Sequence, residues 1–179
     1  MRKQVCAGKA NDDSQIGFEI CEDAWREDRP GCHAVNKEVD LILNPSASHF
    51  AFGKSDFREN LVIRSSEQLD CVYVYTNLLG NESGRMIYDG DIIIAQKGEL
   101  KGKNTRLSFK DFKTLSCEVN FAQRAETEIN IRPDAADRLE EFSKAAPLAL
   151  FDYMRKARSK GFVLSLSGGA DSSSIAVLV

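Results

Sequence analysis

The sequence lacks a long apolar run, a paired-cysteine motif and the histidines that a metal cluster needs. No stretch of its 179 residues approaches the roughly 20 apolar residues that span a bilayer. The N-terminus has no apolar core of the kind that marks a secretory signal. The five cysteines include no CxxC pair and there are only two histidines, which argues against a zinc or CxxC redox site. We therefore expect a cytoplasmic protein with free thiols and no membrane partner.

An excess of basic residues is also missing. The 24 lysines and arginines face 27 acidic residues, for a formal net charge of −3, so charge gives no argument for a nucleic-acid partner. Hydrophobic and charged residues make up 42% and 28% of the chain, which is ordinary for a globular protein. The length suffices for one domain and part of another.

The apolar patterning predicts an α/β chain. Short apolar or alternating runs predict strands, and spacings of three and four predict helices. The predicted strands are Gln15–Ile20, Asp40–Leu43, Cys71–Thr76, Met86–Tyr88, Asp91–Ala95, Leu107–Phe112, Leu115–Phe121 and Gly161–Leu166. The predicted helices are Lys54–Asp70, 134–145, 147–159 and Ser173–Val179.

Proline and side-chain periodicity set the predicted limits and faces of these elements. Asn44-Pro45 is expected to end the second strand and Pro147 to divide the last two helices, because proline lacks the backbone N–H. Two stripes are expected to face the core. They are Phe57, Leu61, Ser65 and Leu69 on the first helix, and Leu139, Phe142, Ala146, Leu150 and Tyr153 on the last two.

A glycine turn with a phosphate-binding pattern follows the last predicted strand. In Ser167–Ser172, SGGADS, the glycines permit close backbone approach, and the helix that follows offers free N–H groups to an anion. Asp171 would repel a phosphate unless a cation lies between them, so the pattern implies Mg²⁺. A simple glycine turn is the alternative. The loop is not a Walker A motif, because no GKS or GKT follows.

That hexapeptide resembles the pyrophosphate-binding loop of ATP pyrophosphatases, enzymes that activate a substrate as its adenylate. The resemblance implies an ATP site formed by Ser167, Gly168, Gly169, Ala170, Asp171 and Ser172, with Asp171 on Mg²⁺. The implied fold is the first strand–loop–helix of a Rossmann-like domain.

A second motif, GFEICEDAW at residues 17–25, places a cysteine at the end of a strand. Taken alone, Cys21 could be a nucleophile or one more buried thiol. The segment resembles the nucleophile region of the nitrilase superfamily, and its EICED core resembles the glutaminase domain of glutamine-dependent NAD synthetases. The segments 43–48, 75–80 and 88–90 resemble further elements of that family. The implied fold is the C-terminal half of an α-β-β-α nitrilase-like sandwich.

The family resemblance implies roles for individual residues. Cys21 would attack the side-chain amide of glutamine, and Glu22, Ser48 and Lys54 would contact that substrate. The ammonia released would amidate the adenylate of nicotinic acid adenine dinucleotide, so the implied small-molecule partners are glutamine, this dinucleotide and ATP. The implied division is a glutaminase domain over 1–122, a linker over 123–133 and the start of a synthetase domain over 134–179. A homo-oligomer is also implied.

The sequence departs from the superfamily pattern before the cysteine. The Glu and Lys of the Glu–Lys–Cys triad should precede Gln15, and Lys3 and Lys9 lie in the wrong surroundings to supply the lysine. We therefore expect the chain to be a piece of a two-domain protein. Two alternatives stay open: another glutamine amidotransferase of the ATP pyrophosphatase family, or a truncated, non-catalytic interaction module.

The missing triad partners generate the first prediction. The purified 179-residue chain should not release ammonia from glutamine, because the general base and the cationic partner of Cys21 are not recognisable in it. A coupled assay for ammonia measures this directly. Appreciable turnover that disappears in Cys21→Ala would contradict the prediction.

Overall fold

The computed structural model describes residues 7–9, 14–35, 38–81, 84–121 and 137–179, and it has the predicted α/β character. The elements in chain order are strand β1 (Ala7–Lys9), β2 (Gln15–Phe18), a 3₁₀ helix (Cys21–Trp25), helix α1 (Pro30–Val35), β3 (Leu41–Ser46), α2 (Lys54–Gln68), β4 (Val72–Asn77), β5 (Leu79–Asn81), β6 (Ile87–Asp89), β7 (Ile92–Gln96), β8 (Glu99–Lys103), α3 (Arg138–Lys156) and α4 (Ala170–Leu178).

A six-stranded mixed sheet in the order β1-β2-β3-β4-β7-β8 forms the centre of the fold. The pairs β2–β3 and β3–β4 are parallel and the other three are antiparallel. Strands β5 and β6 form a separate antiparallel pair. Because β2 and β3 are parallel neighbours, the segments that follow them emerge at the same edge of the sheet. These segments hold Cys21 and Ser48.

The main core lies between this sheet and helices α1 and α2. Its apolar members are aliphatic and aromatic side chains of the strands, together with residues within and beside the helices: Ala34, Val39, Ile42, Val62, Leu69, Cys71, Tyr73, Tyr75, Ile93 and Ala95. Burial of this area supplies the main driving force for folding. The predictions of strand Cys71–Thr76 and helix Lys54–Asp70 are confirmed, as β4 and α2.

The predicted buried face of α2 is wrong in part. Phe57 is 69% exposed, whereas Ser65 and Leu69 are buried as expected. Most of the buried residues within the helix are polar: Ser55, Arg58, Ser65 and Ser66 join Val62. Two of the serines donate to carbonyls of their own helix, Ser65 to Leu61 at 2.6 Å and Ser66 to Ile63 at 2.8 Å. Such bonds make burial of a hydroxyl tolerable.

A buried charge cluster lies beneath this polar face. The guanidinium of Arg58 is fully buried and reaches Asp89 Oδ2 at 2.6 Å and Asp91 Oδ2 at 3.4 Å. Ser55 donates to the same oxygen of Asp91 at 2.8 Å. Burial, reinforced by the charge of Asp89, raises the pKa of Asp91. One arginine thus joins α2 to the turn between β6 and β7.

Strand β3 continues through Asn44-Pro45, where the sequence predicted its end. Pro45 and Ser46 stay in register with Thr76 and Asn77 of β4. Residues 41, 43 and 45 direct their backbone groups away from β4, since the carbonyl of Leu43 accepts from Glu19 at the β2 side. The paired register of β2 ends with Phe18 opposite Leu43, so Pro45 lies beyond the last paired residue on that side, and its missing N–H removes no bond to β4.

The predicted strands Leu107–Phe112 and Leu115–Phe121 are not formed. The edge position that they could have filled belongs to β8, which continues β7 through the tight turn at Lys97-Gly98. The segment after β8 instead lies against the structure through single contacts, such as the bond from Gln96 Nε2 to the carbonyl of Asn120 at 2.6 Å.

Helix α3 is one continuous helix, so the predicted break at Pro147 is wrong. Proline removes one intrahelical bond, but its fixed φ suits a helix. The neighbouring residues Ala145 and Leu148 are each 2% exposed, and their packing stabilises the helix across the proline. The predicted apolar stripe is wrong as well, because Leu139 is 76% exposed and Phe142 51%. The buried residues of α3 are Glu141, Ala145, Leu148 and Asp152.

Helix α3 packs on the β5–β6 hairpin. Ala145 and Leu148 form a second small core with Leu107, which Phe50, Leu79 and Ile87 border. The buried carboxylate of Asp152 accepts from the backbone N–H of Asn81 at 2.7 Å. Any side chain at Gly80, whose φ is +95°, would overlap Asp152. Glycine at this position therefore allows the helix to approach the hairpin.

Residues 161–166 do not form the predicted strand, and most of their side chains are exposed, with Val163 at 104%. No described strand lies beside them, so their backbone groups lack the partners that a strand requires. The predicted linker 123–133 lies outside the described residues. Among the described residues, no helix has the length and apolarity needed to cross a bilayer.

The buried charge cluster generates the second prediction. Arg58→Met should lower the free energy of unfolding by about 3–5 kcal/mol, because Asp89 and Asp91 would lose their buried cationic partner. Urea denaturation followed by circular dichroism measures the change. The control is Arg64→Met on the exposed part of the same helix, which should stay within about 0.5 kcal/mol of the parent. Equal losses in the two variants would contradict the prediction.

Candidate functional site

Cys21 stands at a sharp turn immediately after β2. Its φ is +49°, a left-handed conformation that is unusual for a residue with a side chain. The chain enters a 3₁₀ helix at this residue, and the thiol is partly exposed. Strained backbone of this kind clusters at functional sites. The geometry therefore agrees with the expectation of a strand-end elbow.

Short polar contacts close the elbow on its exposed side. The N–H of Asp23 donates to the carbonyl of Ile20 at 3.0 Å, and Asp23 Oδ2 accepts from the N–H of Ile20 at 3.3 Å. Asp23 thus makes two hydrogen bonds to the backbone of Ile20, one from its own N–H and one to its carboxylate. These bonds hold the backbone on either side of Cys21 together.

A carboxylate on the other side of Cys21 anchors the elbow from within. Glu19 is completely buried and accepts from the N–H of Gly31 at 2.7 Å and from the hydroxyl of Tyr73 at 2.5 Å. It also forms an ion pair with Arg29 Nε at 3.2 Å. Burial, and then the charge of Glu19, raises the pKa of Tyr73, so the phenol remains a proton donor. A role for Glu19 is not evident from the motif alone.

The other described cysteines differ from Cys21 in burial or position. Burial raises the pKa of Cys71 to about 12, with a further contribution from Glu19, so this thiol is protonated at neutral pH. Burial also raises the pKa of Cys117. Cys32 is exposed on the short helix α1. Among the described cysteines, only Cys21 combines partial exposure with a strained elbow after a strand.

Glu22, a predicted glutamine contact, is exposed at the mouth of the elbow. Its carboxylate accepts from Arg26 Nη2 at 2.7 Å, one turn further along the chain. Both side chains are largely solvated, so the pair contributes little to stability. Glu22 is therefore free to exchange Arg26 for another cationic or amino group.

Ser48, another predicted substrate contact, lies in the segment after β3. Asn77 fixes its backbone twice, accepting from the N–H at 2.9 Å and donating to the carbonyl at 2.8 Å. Arg58 Nη2 donates to the same carbonyl at 2.9 Å, and Asn77 also donates to Asp89 at 2.7 Å. The buried charge cluster thus holds the segment that carries Ser48.

Lys54, the third predicted substrate contact, begins helix α2 and donates to the carbonyl of His49 at 3.2 Å. Burial, and then the charge of Arg58, lowers the pKa of Lys54, while Asp89 and Cys21 act in the opposite direction. Lys54 therefore lies close enough to Cys21 for the two side chains to interact electrostatically.

The predicted phosphate loop is formed by Gly168, Gly169 and the first turn of α4. Gly168 has a φ of +81°, which favours glycine, and Gly169 caps the helix. The hydroxyls of Ser167 and Ser172 lie 3.2 Å apart across the loop, and Ser172 donates to the carbonyl of Gly169 at 3.1 Å. The helix begins at Ala170, earlier than the sequence predicted.

The predicted site residues thus form two groups. Cys21, Glu22, Ser48 and Lys54 belong to the elbow and to the segments beside it, whereas Ser167–Ser172 forms a separate loop near the end of the chain. Sequence reasoning missed the buried partners that hold the first group, namely Glu19, Arg29, Arg58 and Asn77. A charged residue inside an otherwise apolar strand pattern was the available signal for Glu19. Lys3, weighed as a triad residue, lies outside the described residues.

Known proteins match this chain over a length that includes both groups of residues. A glutamine-dependent NAD(+) synthetase from Cytophaga hutchinsonii is 47% identical, with a TM-score of 0.76, over all of this chain and 29% of its own. The glutamine-dependent NAD(+) synthetase of Macaca fascicularis is 28% identical over 203 residues, which are 93% of this chain and 29% of that protein. No family model matches the chain.

The chain is homologous to glutamine-dependent NAD(+) synthetases. It spans about 29% of the length of these relatives. An amidase of the nitrilase superfamily from Nesterenkonia shares the fold over 59% of this chain and 38% of its own, with a TM-score of 0.50 at 16% identity. The nitrilase-like fold class expected from the sequence is therefore confirmed for this NAD(+) synthetase homologue.

The shared environment of Lys54 and Cys21 generates the third prediction. Lys54→Met should slow alkylation of Cys21 by iodoacetamide at pH 7 about threefold, because the thiolate loses a nearby positive charge. Peptide mass mapping resolves the rate at each cysteine.

The matched control is Lys97→Met, since Lys97 pairs with Asp70 at 3.4 Å in the turn between β7 and β8. In Lys97→Met, the rate of Cys21 alkylation should equal that of the parent. Added salt should reduce the difference in this rate between the parent and Lys54→Met. An unchanged or faster rate in Lys54→Met would show that the charge does not act on Cys21.

Proposed function

We propose that the chain carries the thiol nucleophile of the glutamine-hydrolysing centre and the ATP phosphate loop of a glutamine-dependent NAD(+) synthetase. The observation that carries this proposal is the strained elbow at Cys21 in a nitrilase-like sheet. The 47% identity to the Cytophaga hutchinsonii synthetase over the whole chain supports it. The reaction class is that of a carbon–nitrogen ligase with glutamine as amide donor.

The proposed chemistry begins at the thiolate of Cys21. Its sulfur attacks the side-chain amide carbon of glutamine, the carbon–nitrogen bond breaks, and ammonia leaves with a proton from the enzyme. Water then hydrolyses the thioester and releases glutamate. A general base and a further cation are required. In the family these residues precede the cysteine along the chain, so we assign them to the part of the protein that precedes Gln15.

Three polar groups around the elbow suit recognition of an amino acid. Glu22 offers an exposed carboxylate to the α-amino group, and Lys54 offers an ammonium to the α-carboxylate. The Ser48 backbone is fixed by Asn77 and Arg58, so its side chain has a defined position. Lysine cannot make the bidentate contact that arginine makes with a carboxylate, so Lys54 acts as a point charge.

The second centre is proposed to bind ATP at Ser167–Ser172. Gly168 and Gly169 leave the backbone open to a phosphate, and the first turn of α4 presents N–H groups to it. Asp171 in that turn is exposed, and carboxylate oxygens suit Mg²⁺. Mg²⁺ would neutralise phosphate charge there. Among the described residues, no cluster of three His, Cys, Asp or Glu residues forms a metal site.

We further propose that ammonia from the first centre amidates an adenylate of nicotinic acid adenine dinucleotide. The proposed division has the glutaminase domain over 1–122, a linker over 123–133 and the synthetase domain from 134. Cytoplasmic location and self-association follow from the same resemblance. In this proposed division α3 is the first helix of the second domain, and it packs on the β5–β6 hairpin of the first domain.

A chimera tests the proposal. Residues 1–179 would replace the matching 29% of the Cytophaga hutchinsonii synthetase, and NAD formation would be measured with glutamine or with ammonia. Cys21→Ala should lower the glutamine-dependent rate about 1,000-fold or more and leave the ammonia-dependent rate unchanged. Asp171→Asn should lower both rates, because it acts on the ATP centre.

Cys32→Ala is the matched control for the cysteine, since Cys32 is exposed and lies on the short helix beside the elbow. It should change neither rate. Equal glutamine-dependent rates in the parent chimera and Cys21→Ala would refute the role of Cys21.

A further inference from the structure

The buried carboxylate of Glu19 has an unusual location, two residues before Cys21. It is 0% exposed, and its two oxygens are satisfied by donors from three other parts of the fold: the segment before α1, the first turn of α1, and β4. A buried carboxylate is costly unless it is paired and hydrogen-bonded. Gly31 is required for this approach, because a Cβ there would lie 2.5 Å from Glu19 Oε1.

Arg29 links the two sides of the elbow. Its Nε lies 3.2 Å from Glu19 Oε1, and its Nη1 donates to the carbonyl of Ala24 at 2.7 Å. Glu19 precedes Cys21 and Ala24 follows it within the 3₁₀ helix. The guanidinium is 6% exposed and lies over the Tyr73 ring, with Cζ 5.7 Å from the centroid. One buried side chain therefore fixes both ends of a six-residue arc.

The backbone before the arc is fixed as well. The N–H of Glu19 donates to the carbonyl of Leu43 at 3.0 Å and so extends the parallel pairing of β2 and β3. Between these anchors, Cys21 holds its left-handed φ of +49°. A residue with a side chain leaves that region unless its surroundings hold it. The contacts of Asp23 with Ile20 are exposed to water, whereas those of Glu19 and Arg29 are not.

We propose that Glu19 and Arg29 are positioning residues that hold the Cys21 thiol in the orientation needed for attack on the glutamine amide. They act through the backbone on either side of the cysteine. The proposal rests on the function proposed above, and it adds a requirement that the motif alone does not contain. A small displacement of a nucleophile can cost a large factor in rate.

The first test uses the chimera and separates orientation from folding. Glu19→Gln keeps the size of the side chain but removes the charge that pairs with Arg29. The kcat for glutamine hydrolysis should fall about tenfold or more, with KM for glutamine within about threefold. The ammonia-dependent rate should stay unchanged, which reports that the molecule is folded. Arg29→Met should behave like Glu19→Gln.

Tyr73→Phe is the matched control. It removes the 2.5 Å bond to the other oxygen of Glu19 but leaves the contacts of Arg29 with Glu19 and Ala24. Its kcat should stay within about threefold of the parent. A parallel loss of both rates in Glu19→Gln, or an unchanged kcat, would overturn the proposal, because Glu19 would then serve stability alone or nothing measurable.

A second readout uses the 179-residue chain and requires no activity. Amide hydrogen exchange in Glu19→Gln should accelerate about tenfold at residues 20–25, with the amides of β3 and β4 unchanged. Uniform acceleration would show a global effect and contradict local positioning. If the parent chimera has no Cys21-dependent activity, the proposed function fails by itself, and this exchange pattern still decides whether Glu19 holds the elbow.

Discussion

The buried ion pair between Arg58 and Asp89 joins the parts of the fold that the candidate glutamine site needs. It connects α2 to the turn after β6, and through Asn77 and the Ser48 carbonyl it fixes the segment after β3. A buried pair of this kind adds little net stability, because desolvation offsets most of the attraction. Its effect is geometric. The guanidinium accepts only a few arrangements of its partners, so the segment that carries Ser48 has a defined place beside the elbow.

Strand β4 and helix α2 differ in how far they could be predicted from the sequence. Strand β4 was predictable because CVYVYT is β-branched and aromatic throughout. Helix α2 was predictable in extent but not in orientation. Periodicity placed Phe57 inside and gave no reason to bury Arg58, because the partner Asp89 lies 31 residues away in sequence. Pattern rules assume that apolar residues lie inside, and they fail where a polar face finds buried partners.

The buried face of helix α3 was also predicted wrongly, because two of its acidic residues have buried partners. Leu139 and Phe142 form the more apolar stripe, but Glu141 and Asp152 are buried. Glu141 bonds to Arg106, and Asp152 accepts from the backbone of Asn81. Neither partner is visible from local sequence. The strand predicted at 161–166 failed for a related reason, since strand formation depends on a neighbour that no local pattern supplies. The motifs pointed to Cys21 and to the candidate phosphate loop, yet they could not identify Glu19 or Arg29, whose proposed roles depend on contacts between distant segments.

Arg106 links helix α3 to the buried charge cluster of Arg58, Asp89 and Asp91. It lies 3.5 Å from Asp89 and also pairs with Glu141 of α3. Asp89 is in turn bonded to Arg58 and Asn77, which hold Ser48. A displacement of α3 would therefore change the surroundings of a buried carboxylate that supports the glutamine side of the fold. Charges in such a site interact strongly, because little water screens them. The first helix assigned to the synthetase part is thus attached to the buried network beneath the part assigned to the glutaminase. One set of buried charges therefore holds residues on both sides of the proposed linker 123–133.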